Sequence, residues 1–423
     1  MAAAAKHKWA FSTRFKRDAF GWKSDLPIKR IKEALTEIKS VAKKEPVLAA
    51  DGAVLLIEKL SPALTHVDSS SGAIGSWVNK ALETLVPLII KAEVDADQRQ
   101  KWLERLWLAF EEDEMPYIES LGDYWGELCA SQDLASSWAD RLLADRQFRI
   151  DNSPKDYLSL YFKGIHACYS ALFTAKRFDE LYQLVVDSKA LYWHERRWVV
   201  KTLVAQGKPR EAIDYALATD ERYRPTHAVA KVCESILLDM GLIEEAYEHY
   251  AFDANQSTTN VATYKAIVKK YPSISPEKIL QDLVDQEPLA AGKWFATAKD
   301  AGYYDYAIHL ANQSPVDIKT LSRAARDFND SQTGFAFEAG MAALYWISLK
   351  QFYELEQRDI NEVVDLTLLA AHKLAIPQSD LASRMAPLLD KQRSGAQLLS
   401  YLARRLEMGD TFFAELSRLP IFK

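Results

Sequence analysis

The chain has 423 residues, of which 48% are hydrophobic and 26% are charged, with only 15 glycines and 15 prolines. This composition is ordinary for a folded protein, and the scarcity of glycine and proline favours long helices joined by short connections. The net charge of −6 conceals an asymmetry, because residues 1–45 hold 12 Lys/Arg against 5 Asp/Glu. The start of the chain is therefore basic and the remainder is acidic.

The cysteines and the apolar runs exclude several classes of protein. Cys129, Cys168 and Cys233 lie far apart, with no CxxC pair, which argues against a disulfide framework or a zinc site. The longest apolar runs, such as residues 85–90, are far shorter than the roughly 18 residues that span a membrane. The first residues lack the apolar core of a secretory signal. We therefore expect a cytoplasmic protein with no membrane segment, metal or cofactor.

Residues 1–24 form a basic, aromatic arm. Large rings alternate there with cationic side chains, and the residues of interest are Trp9, Phe11, Arg14, Phe15, Lys16, Arg17, Trp22 and Lys23. Cationic side chains neutralise phosphates and exposed rings stack on bases, so the arm is a candidate contact for nucleic acid or for a partner protein. The alternative is that the rings dock into the helical body of the protein while the charges stay in water.

Residues 25–150 predict an N-terminal helical domain. Its first helix starts at Ser24 or Asp25, and its apolar positions recur at steps of three and four: Ile28, Ile31, Leu35, Ile38 and Ala42. The outer face of this helix is basic. Further helices are expected at about 47–60, 73–91, 96–112, 115–130 and 133–147.

Two polar stretches in this domain invite a functional interpretation. Residues 66–79 contain several serines and glycines just before a predicted helix, but they lack the lysine of a phosphate-binding loop. We therefore expect Asp68, Ser70 or Ser71 to cap a helix that begins near Ala73. The acidic segment EEDE at 111–114 could hold a divalent cation or pair with the basic arm. A solvated helix end is the simpler interpretation.

A helix-pair pattern repeats in the second half of the chain. Gly207 is followed five residues later by Ala212, and Gly241 is followed at the same distance by Ala246. The two glycines lie 34 residues apart (241 − 207), which is typical of a stacking helix–turn–helix unit. Glycine accepts the turn conformation that ends the first helix. Gly302 and Ala307 show the same pattern again. The first repeat of the array has Lys176 and Leu181 at the corresponding positions.

The turn glycine, the alanine of the second helix and aromatics such as Phe178, Tyr247 and Tyr250 resemble the tetratricopeptide (TPR) family of helical repeats. The resemblance covers about 160 residues and implies an all-α fold, an α-solenoid of stacked TPR-like hairpins over residues 151–315. A C-terminal helical region, residues 316–423, is expected to cap the stack. The sequence departs from the family midway along the first helices, where it has Tyr169, Val200, Glu234 and Phe295 instead of a small residue.

If the resemblance holds, the first helix of each pair lines an inner groove. The residues that it would point towards that groove are Lys163, His166, Arg197, Lys201, Lys231 and Lys299. A basic stripe of this kind suits an acidic peptide or a terminal carboxylate. The alternative is that these side chains are ordinary solvated residues, partly offset by neighbours such as Glu195.

Most sequence signatures of catalysis are missing, and the single SxxK match, Ser40–Lys43, is at chance level. The chain has no GxGxxG, GxxxxGK[ST], HExxH or GxSxG motif, and its histidines lack metal-ligand spacing. We therefore expect a non-catalytic protein-interaction scaffold. The alternative is a nucleic-acid-associated subunit of a larger complex, in which residues 6–44 contact phosphates. Part of the 50–130 region is also similar to uncharacterised bacterial helical proteins, a likeness that implies no activity.

Overall fold

The protein is all-α. A computed structural model describes residues 7–152, 162–187, 192–218, 226–351 and 353–385, together with 388 and 401. Within these ranges the chain forms twenty α-helices and no β-strand, which confirms that the fold is all-α. The contacts divide the chain into two compact units, Met1–Glu221 and Arg222–Lys423.

The first unit contains ten α-helices within its described residues. They are α1 (Asp25–Ala42), α2 (Pro46–Leu64), α3 (Ala73–Lys91), α4 (Ala96–Glu111), α5 (Trp125–Leu128), α6 (Gln132–Asn152), α7 (Ile165–Thr174), α8 (Phe178–Asp187), α9 (Trp193–Ala205) and α10 (Pro209–Ala218). Short 3₁₀ helices cover Ala10–Thr13 and Glu119–Tyr124. The helix predicted at 115–130 is wrong in extent, because the chain there forms the second 3₁₀ helix followed by the four residues of α5.

The second unit also contains ten α-helices within its described residues. They are α11 (His227–Asp239), α12 (Ile243–Ala254), α13 (Asn260–Lys270), α14 (Pro276–Asp285), α15 (Phe295–Asp300), α16 (Tyr304–Gln313), α17 (Ile318–Asp327), α18 (Thr333–Ser348), α19 (Gln357–Lys373) and α20 (Gln378–Met385). A 3₁₀ helix, Pro288–Trp294, precedes α15. Of the C-terminal helical region expected at residues 316–423, the part beyond Met385 lies outside the described residues except for 388 and 401.

Apolar stripes and aromatic clusters build the core of the first unit. The stripe predicted on α1 is buried at Ile31, Leu35 and Ile38, and α1 packs against α2 and α3. Trp107, Trp125 and Trp138 meet in edge-on or tilted pairs, with ring centroids 5.0–5.9 Å apart. By length and composition, α3 is the single helix of the described ranges that could cross a membrane, and here its apolar face packs against α1 and α2.

Short polar side chains start several helices by accepting a backbone hydrogen bond. Asp95, Thr259, Ser275 and Asp317 each accept the N–H of the residue three positions further on, at 2.8–3.2 Å. Such a bond satisfies one of the backbone donors that the first turn of a helix leaves free. The predicted start near Ala73 is confirmed, although the residue at the cap position is Gly72 and Asp68 instead closes the preceding turn by accepting the N–H of Ser70.

One turn geometry joins the helices of successive pairs. Gly207, Gly241 and Gly302 have φ angles of 76°, 76° and 84°. The residue after each donates its N–H to a carbonyl five positions back, as Lys208 does to Leu203 at 2.9 Å. Lys176 adopts the same left-handed conformation, with φ 58°, and Arg177 makes the equivalent bond to Leu172 at 3.0 Å. The helix ends of a glycine pair and of a non-glycine pair are therefore closed in the same way.

A buried carboxylate ties three elements of the second unit together. Glu234, on α11, is fully buried and accepts hydrogen bonds from Tyr271 (2.7 Å), Asn255 (2.6 Å) and Lys270 (2.7 Å). These three bonds explain how a charged residue can be buried midway along α11. Asn255 follows α12, whereas Lys270 ends α13 and Tyr271 follows it, so the acid joins neighbouring hairpins while its charge is compensated.

The turn geometry predicts opposite effects of matched substitutions. Lys176→Gly should raise the free energy of unfolding by about 0.5–1 kcal/mol, because a side chain is strained in the left-handed region. Gly207→Ala should lower it by about 1 kcal/mol, although a Cβ at Gly207 meets no heavy atom within 4 Å. Urea denaturation followed by far-ultraviolet circular dichroism measures both changes. A loss of stability in Lys176→Gly would contradict this account of the turn.

Candidate functional site

The structure brings three of the six predicted groove residues together. His166 lies on α7, and Arg197 and Lys201 lie one turn apart on α9, which packs against α7. Lys163 lies just before α7 but points its ammonium at the carbonyl oxygens of Asp113 (2.6 Å) and Glu111 (3.4 Å). Lys163 therefore closes the acidic loop instead of lining a groove.

The other two predicted groove residues belong to the second unit. Lys231 is exposed on α11. Lys299, at the end of α15, pairs with Asp300 at 2.9 Å and lies 5.8 Å from the ring centre of Phe328. The six residues are thus distributed over both units, and three of them, His166, Arg197 and Lys201, form a cluster in the first unit.

Asp123 is the centre of this cluster. Its Oδ1 lies 3.2 Å from Nδ1 of His166 and 2.5 Å from a terminal nitrogen of Arg197. Burial alone would raise the pKa of Asp123, but the hydrogen bonds and charges of His166 and Arg197 outweigh it and hold the pKa below its usual value. The acid is therefore ionised at neutral pH and fixes the orientation of both basic side chains.

A close helix approach places Asp123 in this position. Ser170 on α7 accepts the N–H of Gly126 at 3.0 Å and donates its hydroxyl to the carbonyl of Asp123 at 2.9 Å. A Cβ at Gly126 would lie 2.1 Å from the carbonyl oxygen of Ser170, so only glycine allows α5 to come this near to α7. The backbone around Asp123 is thereby held against α7.

Three rings form a column beside Asp123. His166 stacks on His194 with centroids 5.1 Å apart and planes at 29°, and His194 stacks on exposed Tyr192 at 5.6 Å and 14°. Burial and the proximity of His166 lower the pKa of His194. Its imidazole is therefore neutral at pH 7 and offers both a donor and an acceptor. No hydrogen bond joins its ring nitrogens to another described residue.

Lys201 supplies a cation that no described carboxylate pairs with. Its ammonium lies 4.2 Å from the ring centre of Trp198, which is 2% exposed. Burial and the charge of Arg197 lower the pKa of Lys201, against the opposing charges of Asp123 and Glu127. Lys201 itself is exposed, so its ammonium is accessible to an anion while the ring of Trp198 holds it in place.

The five residues Asp123, His166, His194, Arg197 and Lys201 are called here the Asp123 site. Sequence reasoning missed Asp123, because its partners stand 43 and 74 residues further on (166 − 123 and 197 − 123) and no spacing rule links them. Trp125 and Leu128, close to Asp123 in the chain, are buried in the core. The neighbouring glycines, Gly122 and Gly126, were the available signal that another backbone approaches closely.

The aromatic arm docks on the first unit. Trp9, Phe11 and Phe15 are at most 4% exposed, and Arg14 pairs with Glu33 of α1 at 2.7 Å. The backbone N–H groups of Ala10 and Phe11 donate to Glu37. The alternative in which the rings dock into the helical body is therefore correct for Trp9, Phe11 and Phe15. These rings could stack on bases only after leaving the core. Lys16, Arg17 and Lys23 are exposed, and Trp22 is 71% exposed.

The remaining candidates are the acidic EEDE segment, a metal site and the three cysteines. Asp113 of the EEDE segment is buried and accepts hydrogen bonds from Ser61 and from the N–H of Ile118. No group of three or more His, Cys, Asp or Glu residues within the described ranges has the arrangement of a metal site. Burial raises the pKa of Cys129 and Cys168 to about 12 and that of Cys233 to about 11, so these thiols stay protonated.

Comparison with known proteins adds no identification: no family model, no curated protein and no solved structure matches the chain. The functional interpretation therefore depends on the geometry described above.

Docking of the arm predicts that removing a buried ring strongly lowers the free energy of unfolding, whereas removing an exposed ring changes it little. Phe11→Ala should lower the free energy of unfolding by about 3–5 kcal/mol, because it leaves a cavity under the arm. Trp22→Ala, the matched control on the same segment, should change it by less than about 0.5 kcal/mol, because Trp22 is exposed. Urea titrations of both variants test this. Equal effects would mean that the arm is not docked.

The ionised state of Asp123 predicts a pH-dependent contribution to stability. Asp123→Asn should lower the free energy of unfolding by about 1–3 kcal/mol at pH 7, because it removes a charge-assisted acceptor from His166 and Arg197. The pKa of Asp123 is lowered on folding, so its contribution is complete above the unfolded value of about 4 and is lost as the pH falls below it. Denaturation between about pH 7 and pH 3 should show a difference in the free energy of unfolding between the two proteins that is constant down to about pH 4 and narrows below it. A difference that widens below pH 5 would contradict the assignment.

Proposed function

We propose that the chain is a non-catalytic protein-interaction scaffold, built from stacked TPR-like hairpins within each unit, that binds an acidic segment of a partner protein at the Asp123 site. The observation that carries the proposal is that His166 and Arg197 converge on one ionised acid, while Lys201, one turn from Arg197, holds its ammonium over Trp198. Arg197 is oriented by Asp123, whereas Lys201 and His194 keep donors that no described acidic side chain occupies.

The helix contacts support the scaffold part of the proposal. In a stack of hairpins, the first helix of one pair packs against the first helix of the next. This relation holds between α7 and α9 in the first unit, and between α13 and α15 and between α17 and α19 in the second. The shared left-handed turns at 176, 207, 241 and 302 give the pairs a common geometry.

The chemistry of the Asp123 site supports an acidic ligand. A carboxylate can accept hydrogen bonds from an ammonium, a guanidinium and an imidazole at once. Asp123 already compensates Arg197, so an unoccupied site does not contain several uncompensated cations at close range. An incoming carboxylate would find the ammonium of Lys201 oriented over Trp198, and exposed Tyr192 beside it offers an apolar contact.

A single charge reversal tests the proposal. Lys201→Glu should weaken binding of labelled decapeptides rich in Glu and Asp by about tenfold or more, because it replaces the unpaired ammonium with a repelling carboxylate. Lys201→Arg should retain binding. Lys101→Glu is the matched control, since it makes the same charge change at an exposed residue of α4 in the same unit. Fluorescence anisotropy at two salt concentrations measures the affinities.

Two outcomes would contradict this function. Equal affinities of Lys201→Glu and Lys101→Glu would show that binding depends on net charge alone. Purification of the intact protein from its host, with and without nuclease, provides the second test. Loss of every co-purified protein after nuclease treatment would favour a nucleic-acid-associated subunit over a scaffold that grips proteins directly.

A further inference from the structure

A cleft in the second unit has the opposite charge to the Asp123 site. It lies between α12 and α14, has a volume of about 510 Å³ and is closed at one end by the turn Ser273–Ser275. This volume is within the usual range of ligand sites, roughly 300–1,000 Å³. We call it the acidic cleft.

The floor of the acidic cleft is apolar and aromatic. Tyr247 and Phe252 of α12 meet edge-on with centroids 5.4 Å apart, and Ile274 of the turn lies beside them. Tyr247 is 5% exposed, whereas Phe252 and Ile274 are half-buried and reach the cleft. A floor of this kind can bury an aliphatic or aromatic side chain of a ligand.

The rim of the acidic cleft carries four carboxylates and one ammonium. Glu244 and Glu248 lie one turn apart on α12, and Asp282, Asp285 and Lys278 lie on α14. Lys278 is used within the rim, because its Nζ lies 2.8 Å from Asp282, which also accepts the hydroxyl of Tyr247 at 2.7 Å. Glu244 and Glu248 are exposed and make no salt bridge to another described residue. The rim therefore has a formal charge of −3.

The bond between Tyr247 and Asp282 makes the cleft a fixed feature. It joins α12 to α14 across the floor, and burial together with this bond raises the pKa of Tyr247, so the phenol remains a donor. With Asp282 engaged by two donors, the three remaining carboxylates of the rim face solvent. Asp285 accepts one hydrogen bond from its neighbour Gln281 at 2.9 Å.

From this combination we propose that the acidic cleft binds a basic segment of a partner protein, with an arginine or lysine between Glu244, Glu248 and Asp285 and an adjacent apolar side chain on Phe252 and Ile274. Charge complementarity selects this occupant, since three uncompensated carboxylates disfavour an acidic or neutral one. The proposal is independent of the Asp123 site, which lies in the first unit and would take a ligand of opposite charge.

Two labelled decapeptides test the occupant with the intact protein. One alternates arginine with leucine, and the other alternates arginine with glycine and so keeps the charge without the apolar side chains. The first should bind with a dissociation constant below about 1 mM. The second should bind at least about tenfold more weakly, because it cannot use the floor.

Matched variants test the position of the site. Glu244→Lys with Glu248→Lys should weaken the arginine–leucine peptide by about tenfold or more, and Phe252→Ala should reduce the difference between the two peptides. The control is Asp239→Lys with Glu354→Lys, which makes the same change of net charge at exposed residues of the same unit outside the cleft. Circular dichroism confirms that each variant is folded.

Each result decides the proposal. Loss of binding in the cleft variant but not in the control supports it. Equal losses in both, equal affinity of the two peptides or no binding up to about 1 mM would overturn it. Because the variants leave Lys201 unchanged, binding of acidic peptides at the Asp123 site should persist in all of them, which separates failure of this proposal from failure of the scaffold function.

Discussion

The geometry of the helix pairs depends on the backbone hydrogen bonds that close each first helix at a left-handed residue. The bond from the residue after the turn to a carbonyl five positions back satisfies a carbonyl that the helix end would otherwise leave free. It also sends the chain back along the helix that it has just completed. At Gly207, Gly241 and Gly302 this costs little, whereas Lys176, Lys350 and Ala375 adopt φ angles of 53–58° with a side chain present. The turn persists at these positions because the packed helices on either side hold it.

This constraint explains which parts of the fold the sequence could predict. Turn glycines, apolar stripes and helix starts are local signals, and they placed most helices of the described ranges correctly, as on α1 and α3. The prediction for residues 115–130 was wrong because a helical spacing of aromatics does not reveal that Gly122 and Gly126 admit another helix, which breaks this stretch into shorter turns. The docking of Trp9 and Phe11 was likewise one of two open alternatives, since composition alone cannot tell a buried ring from an exposed one.

The side chains that organise each unit were beyond such local reasoning. Glu234 meets Lys270 and Tyr271 from 36 and 37 positions away, and Asp123 meets His166 and Arg197 from still further. These pairings arise only when consecutive helices are packed. The resemblance to TPR repeats implied six residues along one groove, and the structure brings three of them together on α7 and α9. The resemblance could not predict the acid between them.

The two acids differ in how much hydrogen-bonding capacity their surroundings leave free. Glu234 is fully buried and receives hydrogen bonds from an ammonium, a phenol and an amide, so its surroundings have little capacity left for a ligand. Asp123 is partly exposed, and the ammonium of Lys201 and the imidazole of His194 beside it have no described acidic partner at hydrogen-bonding distance. Lys201 is exposed and holds its ammonium over the ring of Trp198 without a described carboxylate partner, so it keeps a capacity to donate hydrogen bonds that the donors around Glu234 have already used.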